Sequence, residues 1–113
     1  MAYKRLGKLE IIATHTWYTV YTVPAGKHAI LSSIHCLNLN ASVHSEFWLG
    51  HTGGGSSPSN AEYILYQIPI TNYLGNREVD VQLGICMSAG DKIVTKSNVI
   101  TVVVQIWGEE SDV

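Results

Sequence analysis

Residues 78–85 alternate without interruption: Val79, Val81, Leu83 and Ile85 point one way, and Glu78, Asp80, Gln82 and Gly84 the other. A two-residue period is that of an extended strand, and the division into apolar and polar sides predicts one face on a core and one in water. Residues 61–70 alternate similarly, with Ile64, Tyr66, Ile68 and Ile70 on one side. Pro69 within this run has no N–H for a ladder, which predicts a sheet edge or a strand terminus. In residues 99–107, Ile100, Val102, Val104 and Ile106 keep step while Val99, Val103 and Trp107 line the reverse side, so this strand is expected to be covered on both faces. Residues 16–23, 28–40, 46–49 and 92–96 complete the strand set, with a shorter run at 9–13. No window repeats apolar residues at helical spacing, and Val, Ile, Thr, Tyr and Trp recur throughout.

Turn chemistry separates the runs. Pro24-Ala25-Gly26 fits a turn with proline at its second position, and Ser88-Ala89-Gly90-Asp91 fits another. Residues 72–77 form a loop containing Gly75, and 52–60 (TGGGSSPSN) form a flexible low-complexity loop. No repeat period or linker divides the chain. About seven or eight short strands with turns between them predict an all-β, single-domain antiparallel β-sandwich or jelly roll over residues 1–113. A short N-terminal arm (1–8) and an acidic C-terminal tail (108–113) are expected to flank it.

Composition narrows the function. The 113 residues are 46% hydrophobic and only 14% charged, too apolar for a disordered chain and low in charge for a free-standing one. A surface with much neutral area is expected of a subunit covered by neighbours. The net charge of −2 argues against nucleic acid, which needs a basic stripe. No apolar run is long enough to span a bilayer, and the start shows no signal-peptide core, so no membrane partner and folding in a reducing cytoplasm are expected. Cys36 and Cys86 lie in apolar runs, which suits buried free thiols.

No chemistry-bearing constellation emerges. His15, His28, His35, His44 and His51 have spacings of 13, 7, 9 and 7, which match no zinc pattern. Strand alternation sends His35 and Cys36 to opposite faces, against both a shared ion and a thiol–imidazole pair. The glycine run 53–55 lacks the Lys-Ser/Thr ending of a phosphate loop, and no Gly-x-Ser-x-Gly elbow occurs. Hence no catalytic residue, metal ligand or cofactor is expected. Of Trp17, Tyr18, Tyr21, Trp48, Tyr63, Tyr66, Tyr73 and Trp107, most are expected in the core. Adjacent Trp17 and Tyr18 must point to opposite faces, so one of them is expected outside it. Lys4, Arg5 and Lys8 near the start and Glu109, Glu110 and Asp112 near the end form solvated termini, or else exchange between subunits.

Several strings resemble a family. Tyr21-Thr22-Val23-Pro24-Ala25-Gly26, leading into the strand through Cys36 and Asn38, resembles the "LYTVPAG" turn and following strand of a group of small tailed-bacteriophage virion proteins. Tyr63-Ile64-Leu65-Tyr66-Gln67-Ile68-Pro69-Ile70 resembles the group's "YI-Y--PI" strand, and residues 83–93 (LGICMSAGDKI) its "LGL-LSAGDKI" segment, with Met87 in place of Leu. Gly108-Glu109-Glu110 matches its ending, so the resemblance runs from Gly7 to Glu110. It implies a non-enzymatic, multi-copy virion component, foremost a capsid decoration (cement) protein that binds the outer head and bridges capsid subunits. The expected partners are further copies of itself, a trimer being favoured, and the major capsid protein. A tail or baseplate accessory subunit is the alternative. A host-receptor glycan module, with Trp48 and the 52–60 loop at an exposed tip, is a further one. Tyr3, Lys4, Arg5, Lys8, Trp17, Trp48, Trp107, Glu109 and Glu110 are the expected interface residues.

Overall fold

A computed structural model of the chain describes residues 3–40, 42–73 and 77–113. Gly75 of the expected 72–77 loop, and residues 1 and 2 of the expected arm, lie outside the described residues. Eight strands follow in order: β1 (Tyr3–Ile11), β2 (Tyr18–Thr22), β3 (Lys27–Asn38), β4 (Ser45–Thr52), β5 (Tyr63–Ile70), β6 (Glu78–Met87), β7 (Lys92–Ser97) and β8 (Val102–Asp112). A single 3₁₀ turn (Asn60–Glu62) precedes β5.

The strands form two antiparallel sheets of four, ordered β1-β8-β3-β6 and β2-β7-β4-β5. Strand 1 pairs with 8, 2 with 7, 3 with 6 and 4 with 5, the nesting of a jelly roll. The alternation that predicts the strands also fills the space between the sheets. Ile34, Cys36, Val104 and Ile106 point inward from the first sheet and meet Phe47, Leu49 and Ile93 from the second. The seam between β1 and β2 closes tightly at Gly7, where a Cβ would lie 2.3 Å from the Val20 carbonyl oxygen. Asn38 is fully buried at the end of β3. Its amide donates to the Val43 and Ile70 carbonyls (3.1 and 3.3 Å), and its Oδ1 accepts the Asn40 N–H (2.9 Å), satisfying the backbone of a bend with no ladder.

Several expectations are corrected. The basic start is an edge strand rather than an arm: from Tyr3 onward it pairs with β8, Tyr3 opposite Glu109 and Arg5 opposite Trp107. Likewise the acidic end continues β8 to Asp112, opposite Lys27. Charged side chains on an outward face or sheet edge permit strand structure, although in sequence they look like solvated termini. Val99 and Ile100 precede β8, because Thr101 takes φ 66° and breaks the extended run. In β5 the inward row is split. Gln67 adopts φ 51° and the register against β4 slips between Leu65 and Ile68, so Tyr66 turns outward while Leu65 packs on the core. Pro69 does sit on an edge strand. Pro24 is at the first position of its turn, whose Lys27 N–H to Pro24 carbonyl bond (3.2 Å) is closed by Gly26 at φ 78°. Both thiols are free, but Cys86 is exposed on the outer side of β6. Cys36 is buried, and burial pushes its thiol well above the ordinary range.

Candidate interaction surfaces

The expected interface residues divide among three places. On the first sheet, strand register determines the outer face. His35 on β3 stands opposite Gln105 on β8 and Asp80 on β6; one row along, Ser33 stands opposite Trp107 and Gln82. Tyr3 on the β1 edge lies beside Trp107 with rings 6.4 Å apart and nearly parallel, and its hydroxyl reaches Ser33 Oγ at 2.9 Å. The Arg5 guanidinium covers the Trp107 ring at 5.9 Å. Ser33 is small among large neighbours, and an open depression results over it. His35 Nδ1 lies 2.5 Å from Asp80 Oδ1, with Glu78 at 3.6 Å from Nε2. Lys8 opposes Gln105 and is exposed, and Glu109 opposes Tyr3.

The second place is the end of the sandwich, where the two chain ends meet within one subunit. Lys4 Nζ lies 2.7 Å from Glu110, which also accepts a 2.5 Å hydrogen bond from the Tyr21 hydroxyl. The ammonium and then the phenol hold the Glu110 carboxyl below its usual range, against the opposing effect of burial. Desolvation, reinforced by Glu110, pushes the Tyr21 hydroxyl in the opposite direction. Lys27 pairs with Asp112 at 2.7 Å. These contacts place the oppositely charged ends together, as expected of an exchange between subunits, but in cis.

The third place is the outer face of β2-β7-β4-β5, where Trp17 and Trp48 of the expected interface collect with Tyr63 and Tyr66. Phe47 and Leu49 point inward, so Trp48 between them points outward. Lys96, opposite Trp48 on β7, lies over both Trp48 (4.8 Å) and Trp17 (5.0 Å). Tyr63 and Tyr66 stand edge to face at 5.0 Å. Tyr66 extends to Trp48 (6.2 Å) and Tyr63 to Trp17 (6.0 Å). Trp48 itself is covered, at 7% exposure, whereas Tyr66 is 59% exposed. Trp48 is therefore the floor of this layer and not an exposed tip. Sequence reasoning missed Tyr63, Tyr66 and Lys96; the outward turn of Tyr66 follows from a bulge that no Gly or Pro announces. The 52–60 loop alongside is internally bonded: Thr52 Oγ1 donates to the Gly55 carbonyl (2.7 Å), and Glu62 accepts the N–H groups of Gly53 and Ser59.

Among the described residues, no three His, Cys, Asp or Glu side chains converge where they could hold a metal ion, and no helix is long and apolar enough to cross a membrane. The fold and surface thus define a class: an eight-stranded antiparallel jelly roll carrying aromatic side chains on both outer faces. The sequence matches no protein-family model and no curated protein. Among solved structures it is similar to a pentameric capsid protein isolated from metagenomic phage sequences, seen in two crystal structures, one of them solved by iodide SAD phasing. In each, identity is 15% and the TM-score 0.42, and the match covers 96% of this chain and 64% of that one. The chain thus spans less than two-thirds of that protein's length.

Proposed function

We propose that this chain is a non-enzymatic bacteriophage virion structural protein, most specifically a capsid decoration subunit. In this reading it self-associates, a trimer being favoured, and docks on the major capsid protein through the outer face of β2-β7-β4-β5. The observation that carries the reading is the aromatic layer of Trp17, Tyr63 and Tyr66 around Lys96, with Trp48 beneath. Rigid aromatic rings with a cation between them supply large contact area at small entropic cost, which is the composition of interface hot spots. The family resemblance of the turn and strand strings supports the same role. Repeated attachment at symmetry-related points makes many modest contacts cumulatively strong.

Sedimentation velocity of the purified chain, alone and with undecorated phage heads, tests the proposal. The expected result is a homo-oligomer that co-sediments with heads, and loss of head binding in Tyr66→Ala with the fold retained. A monomer without affinity for heads overturns it, and binding to isolated tails instead moves the subunit to the tail.

A further inference from the structure

The outer face of β1-β8-β3-β6 is built differently from the docking face. From its register and side-chain chemistry we infer that the depression over Ser33 is a binding site for a neutral sugar residue of a glycan chain. Six outward side chains form a grid of two rows on three strands: Gln105, His35 and Asp80, then Trp107, Ser33 and Gln82. Neighbouring strands are about 4.8 Å apart and alternate residues about 6.6 Å along a strand, so one cell of this grid has the footprint of a single sugar ring. Ser33 leaves the floor low, and the exposed Tyr3 ring, backed by Trp107 on which it stacks, forms an apolar wall. Such a wall suits the C–H face of a sugar ring.

The polar wall suits hydroxyl groups. Gln82 and Gln105 side-chain amides have no hydrogen-bond partner among the described residues, and each can donate and accept at once. Asp80 keeps one oxygen beyond the one facing His35, a second acceptor next to Gln82. The charges define the ligand further. The two ionisable groups of the polar wall, His35 and Asp80, face each other, and Glu78 adds a second carboxylate beside the imidazole. The nearest guanidinium, Arg5, is held over Trp107. A phosphate or carboxylate ligand would therefore meet carboxylates with no free cation in the depression, whereas a neutral polyol satisfies every group present. Because the depression is open rather than enclosed, a residue within a longer chain can enter.

The test is a titration of the ¹⁵N-labelled chain with glucose, galactose, mannose and N-acetylglucosamine and with oligosaccharides of each, using N-acetylneuraminic acid as the anionic comparator. The expected result is that at least one neutral sugar shifts the Trp107 indole and the Gln82 and Gln105 amide signals together. Trp107→Ala should weaken that binding about tenfold or more, the usual scale of lost ring stacking. Gln82→Ala, at an exposed position away from the core, repeats the test without disturbing the fold, and Tyr66→Ala on the opposite face should bind sugar normally. Failure of every neutral sugar to shift these signals overturns the inference. Equal binding of the anionic sugar, or full binding by both groove variants, does the same. Head binding measured on the same proteins separates this inference from the docking proposal. Loss of head binding in Gln82→Ala would assign the depression to the shell and end the sugar reading, while sugar binding by a chain that ignores heads would end the docking reading alone.

Discussion

Glu110 shows how one side chain can bind the two ends of a domain. It takes an ammonium from β1 and a phenol from β2 while belonging to β8. Glu110→Gln keeps an acceptor for Tyr21 and discards the ion pair, so denaturant unfolding at neutral pH should show a loss of about 1 kcal/mol. The pH dependence has a definite sign. The folded carboxyl titrates below its ordinary value of 4.5, so its stabilisation is complete above that value and fades as pH falls through the lower folded one. The acid limb of the stability profile should be flatter in the variant, and an unchanged limb would remove Glu110 from the account. Asn38 is a second such point: Asn38→Ala strips hydrogen bonds from buried carbonyls and should cost about 2–3 kcal/mol, read as a lower urea midpoint at constant slope.

Strands are where the sequence was most and least legible. Glu78–Met87 stands almost where alternation puts it, because its half-buried and exposed residues keep a strict two-residue period despite a register shift against β3. The run 61–70 becomes a strand from Tyr63, after a 3₁₀ turn that takes in Ala61 and Glu62, and its faces differ from those alternation predicts. Alternation carried through Gln67 keeps Tyr66 in step with Ile68, and the left-handed backbone at Gln67 reverses that. A bulge made by a residue with ordinary chemistry leaves no local mark; only the partner strand's register reveals it. β1 begins earlier and β8 ends later than the apolar runs 9–13 and 99–107 for the related reason that Lys4, Arg5, Lys8, Glu109 and Glu110 signal solvent without signalling conformation. Deletion of residues 1–8 is accordingly expected to destabilise the domain rather than free it of an arm. It removes most of β1, uncovers the core against Leu6 and leaves β8 with a raw edge. A sharp drop in melting temperature would be the signature, and an unchanged one would show that β1 is dispensable. The seam gives a finer probe. Gly7→Ala forces a methyl group against the Val20 carbonyl, which should cost about 1–3 kcal/mol in denaturant unfolding although alanine is otherwise benign.

For the whole molecule, the important outcome is that its aromatic side chains serve two opposite faces. Trp17, Trp48 and Lys96 come from distant parts of the chain, and their convergence follows from strand order, which one-dimensional patterning does not contain. The grid around Ser33 is not legible in sequence either, because it needs the β3 register against both neighbours. If the aromatic layer is the docking surface, Trp17→Ala should weaken head binding about tenfold or more while leaving the denaturation midpoint nearly unchanged, since the ring lies outside the core. Equal losses of binding and stability would instead make Trp17 part of the scaffold.

The position of β8 inside its sheet, between β1 and β3, affects how the protein is made. While a ribosome is still short of residue 102, β1 has no neighbour to pair with and β3 lacks one of its two. Pairing of β3 with β6 can come first, but β1 joins the sheet only once β8 is made and fills the gap between β1 and β3. A chain cut short of residue 102 would leave β1 unpaired and would lack Gln105 and Trp107, and with them the depression over Ser33, whereas the strands that carry Trp48 and Tyr66 would already be made.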